Sequence, residues 1–540
     1  MTRFHVYLGV MCAVVIATLI NHAQGEATPN IVFILTDDQD LELGGTIPIK
    51  KTRDLIGSQG KVFEQFYVNT PLCCPSRSSI LTGKHVHNNM AVNNSLEGNC
   101  SSPAWQQTQE VRAFPTYLHR KGYTTFFAGK YLNRYGNKKA GGVQHVPPGW
   151  THWNGLVGNS KYYNYTLSVD GVEEKHGDNY DEDYFTDVIN RKATTFLNSA
   201  PPTPFFMMLA TPSAHAPFTP APQYRDRFSQ VKAPRDGSFN MHGSDKHWLI
   251  RQAITPMMNE SVQYLDSIYR DRWRTLLSVD DMVENLVDQL TKKGLIDNTY
   301  IFFSSDNGYH VDNGNHVGQF SLPSDKRQLY QFDIHVPFMV RGPGITPGTT
   351  SQDLVTSIDL APTFLEIAKI PPPSDMDGLS LLPQLSDTQI NAQDRKYLLI
   401  EHQGEHTATI PGCPQYDGQN MANCLSACVC EDSLNNTYSC IVGGEEGQFY
   451  KYCRLQDDEN FEEYYDLLVD VSELRNLAPV IKNNVSLYDH VTRTLSHLVQ
   501  CAGPSCSRIP EKERPCDVKQ TYLNVFTYIF ELIQSMFNLY

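Results

Sequence analysis

Five short apolar segments in the first 341 residues constrain the fold more than any other feature of this sequence. Each combines aliphatic with aromatic or β-branched residues, as strands that are buried on both faces of a sheet do. They span 30–36, 124–128, 204–210, 299–305 and 336–341. Between the third and fourth lies 273–294, an amphipathic stretch that predicts a helix covering the sheet. Together these segments predict an α/β fold.

The segment 73–83, CCPSRSSILTG, combines residue types that suit a nucleophilic site. Pro75 fixes the backbone just after Cys73, and Arg77 is a permanent cation that can hold an anion or a developing oxyanion. A plain thiolate needs a neighbouring base or a depressed pKa, and no Cys-His-Asn signature surrounds this cysteine. The alternative is that Cys73 and Cys74 are a buried or disulfide-bonded pair where a loop meets a helix.

The segment 73–83 resembles the signature of the sulfatase family, a cysteine followed by one residue, by Pro-Ser-Arg and by Leu-Thr-Gly. The resemblance makes Cys73, not Cys74, the residue that formylglycine-generating enzyme oxidises to Cα-formylglycine during biosynthesis. It implies an alkaline phosphatase/sulfatase-like fold: α/β, with a large mixed, mostly parallel sheet flanked by helices and a smaller disulfide-rich C-terminal α+β domain. The expected boundaries are 26–390 for the catalytic domain and 391–540 for the smaller domain.

The resemblance also implies one calcium ion, held where two predicted strands end. Its ligands would be Asp37 and Asp38 after the first strand, Asp306 and Asn307 after the fourth, and the modified Cys73. Acidic residues at the carboxyl ends of parallel strands lie where α/β proteins bind ligands. Oxygen ligands favour a hard cation, Ca²⁺ or Mg²⁺, over zinc. Taken alone, the two adjacent aspartates are more typical of a solvated turn.

Further family residues match single positions of this chain. Arg77, Lys130 and Lys326 match the cations that stabilise the transferring sulfuryl group, and His215 matches the histidine near the leaving oxygen. A lone histidine after a strand is more often structural, so the assignment of His215 depends on the family pattern. Many sulfatases place a histidine two residues after the first lysine, whereas this chain has Leu132 there.

A second catalytic histidine falls in a local near-duplication. The segment DNGYH at 306–310 is followed by DNGNH at 312–316, where the family usually has one copy. The first copy directly follows the strand and is therefore assigned to the metal. The second leads into 317–320, which resembles what normally follows the family's histidine, so His310 and His316 remain rivals. In the implied mechanism a formylglycine hydrate attacks sulfur, and this histidine later deprotonates the second hydroxyl.

Longer segments resemble one branch of the family, the lysosomal exo-sulfatases that remove the 6-sulfate of terminal N-acetylglucosamine from heparan sulfate and keratan sulfate. They are 96–100, 126–133, 160–166, 247–251 and 501–506. One alternative is an extracellular endo-acting heparan 6-O-sulfatase, but the long basic insert of those enzymes is missing. Another is a catalytically impaired binder of sulfated sugars, which only the insertion at 312–316 supports. A related phosphatase would have Ser or Thr as its nucleophile and histidine-rich zinc sites.

The ends of the chain and its sequons indicate the secretory pathway, with the lysosome or the exterior as destination. Residues 1–25 read as a signal peptide, and the tail 522–540 reads as a packed amphipathic helix without a membrane anchor. No further segment predicts a transmembrane span, and no feature predicts nucleic-acid binding. The expected glycosylation sites are Asn93, Asn99, Asn164, Asn259, Asn435 and Asn484.

The 13 cysteines crowd towards the C-terminus, and nine of them lie between residues 413 and 516. Their spacing lacks the paired Cys-x-x-Cys units of a zinc site, so a disulfide framework is expected. Cys74 and Cys100 are an expected pair, and Cys516 is the expected unpaired thiol.

The net charge of −15 requires a locally basic cleft if the substrate is an anion. Acidic surroundings that protonate the 18 histidines would favour binding of a sulfated polymer.

Overall fold

Ten strands form one mixed sheet at the centre of the molecule, in the order β13-β2-β12-β9-β1-β8-β4-β5-β6-β7. The computed structural model describes residues 28–201, 204–233, 235, 239–251, 255–257, 259–311, 324–386, 395–405, 433–445 and 447–509. The strands of this sheet are β1 (Asn30–Thr36), β2 (Lys61–Phe63), β4 (Thr124–Lys130), β5 (His152–Leu156), β6 (Thr166–Val169), β7 (Val172–Lys175), β8 (Phe205–Ala210), β9 (Thr299–Ser305), β12 (Phe338–Arg341) and β13 (Thr349–Ser351). Two-stranded pairs are formed by β3 (Phe66–Tyr67) with β14 (Val355–Thr356), and by β10 (His310–Val311) with β11 (Ser324–Asp325).

The five central strands, β9-β1-β8-β4-β5, are parallel and confirm the predicted α/β core. Ile34 of β1 pairs with Leu209 of β8 on one side and with Phe303 of β9 on the other. All five predicted segments contain strands, but β12 runs antiparallel to β9, which makes the sheet mixed. The carboxyl ends of β1, β4, β8 and β9 consequently meet at one edge of the sheet.

Helices cover both faces of the sheet. The described α-helices of the whole chain, of which the last two pack on strands of the C-terminal part, are α1 (Lys50–Thr52), α2 (Cys73–Thr82), α3 (Val86–Asn89), α4 (Pro103–Thr108), α5 (Phe114–Arg120), α6 (Tyr180–Asp183), α7 (Phe185–Asn198), α8 (Trp248–Arg251), α9 (Asn259–Lys292), α10 (Gln331–Ile334), α11 (Leu360–Ile367), α12 (Leu382–Leu385), α13 (Ala478–Ile481) and α14 (Val485–Leu498). The predicted helix 273–294 is the second part of α9, which already begins at Asn259. Val279 and Val283 of α9 pack with Val32 and Ile34 of β1 on one face of the sheet.

The opposite face carries α2, α5 and α11. Ile80, Phe114 and Phe364 from these helices share one core with Phe33 and Phe206 of the sheet. The ring centroids of Phe33 and Phe364 are 5.4 Å apart. Helix α2 ends where the next residue, a glycine at φ 66°, adopts the left-handed conformation of a helix C-terminus. This packing fixes the helix that carries the predicted nucleophile.

A second, four-stranded antiparallel sheet follows in the C-terminal part. Its strands are β15 (Tyr397–His402), β16 (Tyr438–Gly443), β17 (Tyr450–Leu455) and β18 (Glu462–Asp466), and we call it the C-terminal sheet. Leu398, Ile400 and Val442 belong to the same core as the α2 face of the main sheet, so the two sheets pack against each other through apolar side chains. The predicted boundary near residue 390 lies outside the described residues and stays a prediction.

Three disulfides are present in the described part of the chain: Cys74–Cys100, Cys440–Cys453 and Cys501–Cys506. The first confirms the expected pair. Cys516 and the cluster at 413–430 lie outside the described residues, as do the predicted signal peptide 1–25 and the tail 522–540. Among the described helices, none is long and apolar enough to cross a membrane.

The predicted glycosylation sites differ in accessibility. Asn164 and Asn259 are exposed. Asn93 is buried, because its carboxamide packs beneath Gly98 and accepts hydrogen bonds from the backbone and hydroxyl of Ser95. We therefore expect peptide mapping to show a higher glycan occupancy at Asn164 and Asn259 than at Asn93.

The contact between His87 and Glu401 predicts a pH optimum of stability. His87 Nδ1 lies 2.9 Å from Glu401 Oε1, and His87 Nε2 lies 2.9 Å from the carbonyl of Cys501. Burial opposes both charges, but the mutual hydrogen bond outweighs it, raising the pKa of His87 and lowering the pKa of Glu401. Stability from His87 is full below its ordinary pKa of about 6.5 and is lost as pH rises through the raised value. Stability from Glu401 is full above about 4.3 and is lost as pH falls through the lowered value.

We therefore expect Glu401→Gln to lower the free energy of unfolding by about 1–3 kcal/mol near pH 5.5, and by less at pH 8.5. Urea unfolding at the two pH values measures the difference. Asp54→Asn is the control, because it removes the exposed Lys50–Asp54 pair and should have little effect at either pH. If Glu401→Gln lowered the free energy of unfolding equally at both pH values, the result would contradict the interpretation that His87 and Glu401 form a charged pair.

Candidate active site

Four predicted metal ligands meet where β1 and β9 end. Asn307 Nδ2 donates to Asp38 Oδ1 at 2.7 Å, and the backbone N–H of Asp38 donates to Asp306 Oδ1 at 3.1 Å. Carboxylate oxygens of Asp37, Asp38 and Asp306 all lie within 4.8 Å of one another. All four side chains are buried. Adjacent parallel strands thus place residues close together that are about 270 positions apart in the chain.

This cluster fits a hard cation. Burial raises the pKa of Asp306 to about 6. The negative charges of Asp37 and Asp38 act in the same direction, and the positive charge of Arg77 opposes them. Asn307 Oδ1 is buried without a hydrogen-bond partner, so it is an acceptor that a cation would satisfy. Three carboxylates and one free carboxamide oxygen are the donor types that Ca²⁺ takes.

Cys73 is the first residue of α2 and is fully buried beside the cluster. Its Sγ lies 3.7 Å from Asp37 Oδ1, 3.8 Å from Asp38 Oδ1 and 3.0 Å from Lys326 Nζ. Burial raises the pKa of this thiol to about 12, against the opposing effect of the nearby lysines. It is the one free cysteine in the described ranges, since its neighbour Cys74 is bonded to Cys100. The alternative in which Cys73 is disulfide-bonded to Cys74 is therefore wrong.

Three predicted cations surround the aspartates. Lys130, the last residue of β4, places Nζ 2.7 Å and 2.9 Å from the two oxygens of Asp37. Lys326 Nζ lies 2.5 Å from Asp38 Oδ1. Burial would raise the pKa of both aspartates, but these lysines outweigh it, so each pKa lies below its ordinary value.

Arg77 is the third cation and sits one turn along α2. Its Nε donates to Asp306 Oδ2 at 2.7 Å, and its Nη1 donates to the carbonyl of Lys130 at 2.7 Å. Its Nη2 is buried without a hydrogen-bond partner and lies 3.6 Å from Asp37 Oδ1, beyond hydrogen-bonding distance. The guanidinium is thus fixed by hydrogen bonds from Nε and Nη1, and its Nη2 can still donate to an anionic group.

The predicted His215 lies in the turn that follows β8. Its Nδ1 is 2.6 Å from the carbonyl of Ala216, and because a carbonyl only accepts, Nδ1 carries a proton. Nε2 faces Asp38 Oδ2 at 3.8 Å. Burial lowers the pKa of His215 to about 4, although Asp37 and Asp38 act in the opposite direction. Tyr162 steadies the turn by donating to the carbonyl of His215 at 2.9 Å.

Of the two rival histidines, His310 is described and His316 lies outside the described residues. His310 begins β10, is buried, and places Nδ1 3.1 Å from Asp333 Oδ1. Asp333 also accepts from the backbone N–H of Gln328 at 2.7 Å. A histidine oriented by a buried carboxylate is a common arrangement for a base, so His310 fits the role for which it and His316 are rivals.

The sequence-based prediction missed several residues that hold this site together. Ser160, after β5, donates a hydrogen bond to Asp37 Oδ2. Arg272 of α9 donates to the carbonyl of Asp38 at 2.7 Å and to the carboxylate of Asp40 at 2.5 Å. Arg272 is only 2% exposed, but it lies one residue before the predicted helix 273–294, so the sequence analysis did not single it out.

Comparison with known proteins identifies the architecture. The profile of the sulfatase family matches residues 29–370. The chain belongs to the sulfatase family. It is 52% identical over 488 residues to the N-acetylglucosamine-6-sulfatases of Homo sapiens and Capra hircus, which covers 90% of this chain and 87% and 86% of those proteins. The extracellular sulfatase SULF-1 homologue of Drosophila melanogaster is 41% identical over 386 residues, covering 70% of this chain and 33% of that protein.

Solved structures confirm the sulfatase fold. The structure of a protein in complex with its substrate, D-glucosamine-2-N,6-O-disulfate, superposes with a TM-score of 0.68 at 24% identity and covers 87% of this chain and 98% of that one. A phosphonate monoester hydrolase of Agrobacterium radiobacter superposes with a TM-score of 0.63 at 17% identity over 90% and 98% of the two chains. The expected alkaline phosphatase/sulfatase-like architecture is therefore confirmed, and this sulfatase-family chain is a hydrolase.

Proposed function

We propose that this chain removes the 6-O-sulfate from terminal N-acetylglucosamine 6-sulfate residues of heparan sulfate and keratan sulfate, in the lysosome after delivery through the secretory pathway. The observation that carries the proposal is the 52% identity to N-acetylglucosamine-6-sulfatases, which extends over 90% of this chain. The extracellular relative matches a shorter part of this chain and only a third of its own length, which disfavours the endo-acting alternative.

We also propose that Cys73 is converted to Cα-formylglycine by the formylglycine-generating enzyme, and that one Ca²⁺ is bound beside it. The hydrate of that aldehyde supplies two hydroxyls on one carbon, one to attack sulfur and one to be deprotonated later. Asp37, Asp38, Asp306 and Asn307 would hold the ion, which would supply positive charge to the reaction centre.

The remaining roles belong to side chains that surround this centre. Lys130, Lys326 and the free Nη2 of Arg77 bind the sulfuryl oxygens and stabilise the charge that develops on them. We assign His215 to the departing sugar oxygen. Its neutral ring carries the proton on Nδ1, so it donates to that oxygen through Nε2 only in the protonated form. His310, oriented by Asp333, is the described candidate for the base, and His316 remains its rival.

The assay that tests this function compares three substrates with protein secreted from a host that makes formylglycine. They are N-acetylglucosamine 6-sulfate, a heparan oligosaccharide with terminal 6-sulfated glucosamine, and one with only internal 6-sulfates. We expect sulfate release from the first two. Release mainly from internal residues would favour the endo-acting alternative, and no release from protein whose Cys73 is converted would overturn the proposal.

A further inference from the structure

Residues of the C-terminal sheet and its adjoining loops bind the segment directly after Lys326. Arg327 places Nε 2.8 Å and Nη2 2.7 Å from Oε2 of Glu405. Its carbonyl accepts from Asn436 Nδ2 at 3.1 Å and from the hydroxyl of Tyr438 at 3.0 Å. The φ angle of Arg327 is 91°, a conformation that residues with a side chain seldom adopt unless their surroundings impose it. Side chain and backbone of Arg327 are thus both held by residues from the C-terminal part.

The same hold continues along the next residues. Lys451 of β17 donates a hydrogen bond to the carbonyl of Leu329. The hydroxyl of Tyr330 donates to Glu463 at 3.1 Å. The backbone N–H of the following residue donates to Glu473 Oε2 at 2.9 Å. The segment 327–331, which joins Lys326 to α10, is therefore bound to the C-terminal sheet and its adjoining loop at successive positions.

Glu405 also reaches the helix that carries Cys73. Its Oε1 accepts from the backbone N–H of Asn94 at 2.9 Å, and Asn94 Oδ1 accepts from the backbone N–H of Cys74 at 3.0 Å. One carboxylate therefore joins the loop of Lys326, through Oε2, to the start of α2, through Oε1. Its side chain is 10% exposed, and both oxygens are occupied by these contacts.

We propose that Glu405 is a positioning residue, which fixes Lys326 Nζ against Cys73 by bridging Arg327 and Asn94. The inference rests on the proposed function, because Lys326 acts there on the sulfuryl group. A role in binding the sugar is disfavoured, because both carboxylate oxygens of Glu405 already accept hydrogen bonds from the protein. The segment that follows β15 thereby supports the active site without contributing a group that touches the sulfate.

The first test compares Glu405→Gln with Glu401→Gln, the same chemical change four residues earlier at the same junction. Glu401 contacts His87 and not the loop of Lys326. We expect Glu405→Gln to lower kcat/KM about 10–100-fold, mainly through kcat, because a small misplacement of a catalytic group is costly. Glu401→Gln should keep kcat/KM within about twofold of wild type near pH 5.5 while losing stability. Equal activity of the two variants would overturn the proposal.

The second test asks whether Glu405 acts through Lys326. In a Lys326→Ala background, Glu405→Gln should change kcat/KM by less than about twofold. If the two residues acted independently, the losses in kcat/KM of the two single variants would multiply in the double variant. Arg327→Gln removes the same ion pair from the other side and should reproduce the loss if Glu405→Gln is not secreted. Multiplying losses would overturn the proposal, whereas an inactive wild type with converted Cys73 would instead refute the proposed function.

A third readout needs no turnover. Amide hydrogen exchange of a peptide covering 325–331 should be faster in Glu405→Gln than in wild type and unchanged in Glu401→Gln. Unchanged exchange in both variants would show that the other contacts of the C-terminal sheet suffice, and would remove Glu405 from its positioning role.

Discussion

We expect Cys73→Ala to lower kcat for sulfate release by about 10⁴-fold or more, because it would delete the proposed covalent nucleophile. No other described side chain can replace it. Its Sγ lies 3.0 Å from Lys326 Nζ and 3.7–3.8 Å from the carboxylates of Asp37 and Asp38. The buried lysines and aspartates should stay in place, because alanine fits the same first turn of α2.

Cys74→Ala is the matched control for this prediction. It deletes the neighbouring sulfur and with it the disulfide to Cys100, which closes a loop over a sequence separation of 26 residues. We expect a loss of stability of about 2–4 kcal/mol but nearly unchanged kcat per folded molecule. Sulfate release measured at a temperature where both variants are folded separates the two effects. Activity of Cys73→Ala close to that of Cys74→Ala would contradict the assignment.

The chemical state of Cys73 is measured on the same samples. In reduced and alkylated wild-type protein, the tryptic peptide from Val62 to Arg77 should be about 18 Da lighter than the thiol form, as replacement of sulfur by oxygen with loss of two hydrogens requires. An unmodified, active thiol would be hard to reconcile with the structure, because burial raises its pKa to about 12.

Much of the site could be predicted because its residues follow apolar strands directly. Asp37, Lys130 and Asp306 each lie at the end of a short apolar run or one residue beyond it, and parallel strands bring such ends to one edge. A proline in the first turn of α2 and a glycine after its end are local signals of the same kind. These signals are local, and each needs only a few neighbouring residues.

The missed residues act over long sequence separations. Arg272 reaches Asp38 from 234 positions away, and Ser160 reaches Asp37 from 123. Glu405 contacts Arg327 across 78 positions and a second sheet. No periodicity or motif marks such partners, because each depends on which surfaces the tertiary fold brings together. The antiparallel direction of β12 was unpredictable for the same reason, since its apolar run fits either orientation.

Asp306→Asn should lower kcat/KM about 10²–10³-fold and reduce bound calcium, because it removes one carboxylate from the cluster that would hold the ion. Asp306 Oδ2 also accepts from Arg77 Nε at 2.7 Å, so the substitution loosens the guanidinium that keeps a free donor for the sulfate. The measurements are metal content by atomic emission, kcat/KM, and melting temperature in the presence and absence of added Ca²⁺. Wild type should be stabilised by Ca²⁺, whereas the variant should respond weakly.

Asp359→Asn separates this effect from the general cost of losing a buried charge. Asp359 is as buried as Asp306 and pairs with Arg395 through two bonds of 2.5 Å and 2.8 Å, far along the chain from the strand ends of the site. Breaking either buried pair should cost about 3–5 kcal/mol of stability. Only Asp306→Asn should also lose calcium and turnover, because Asp359 takes no part in the carboxylate cluster. A variant of Asp306 that kept its calcium and its kcat/KM would show that the ion, if bound, is held elsewhere in the molecule.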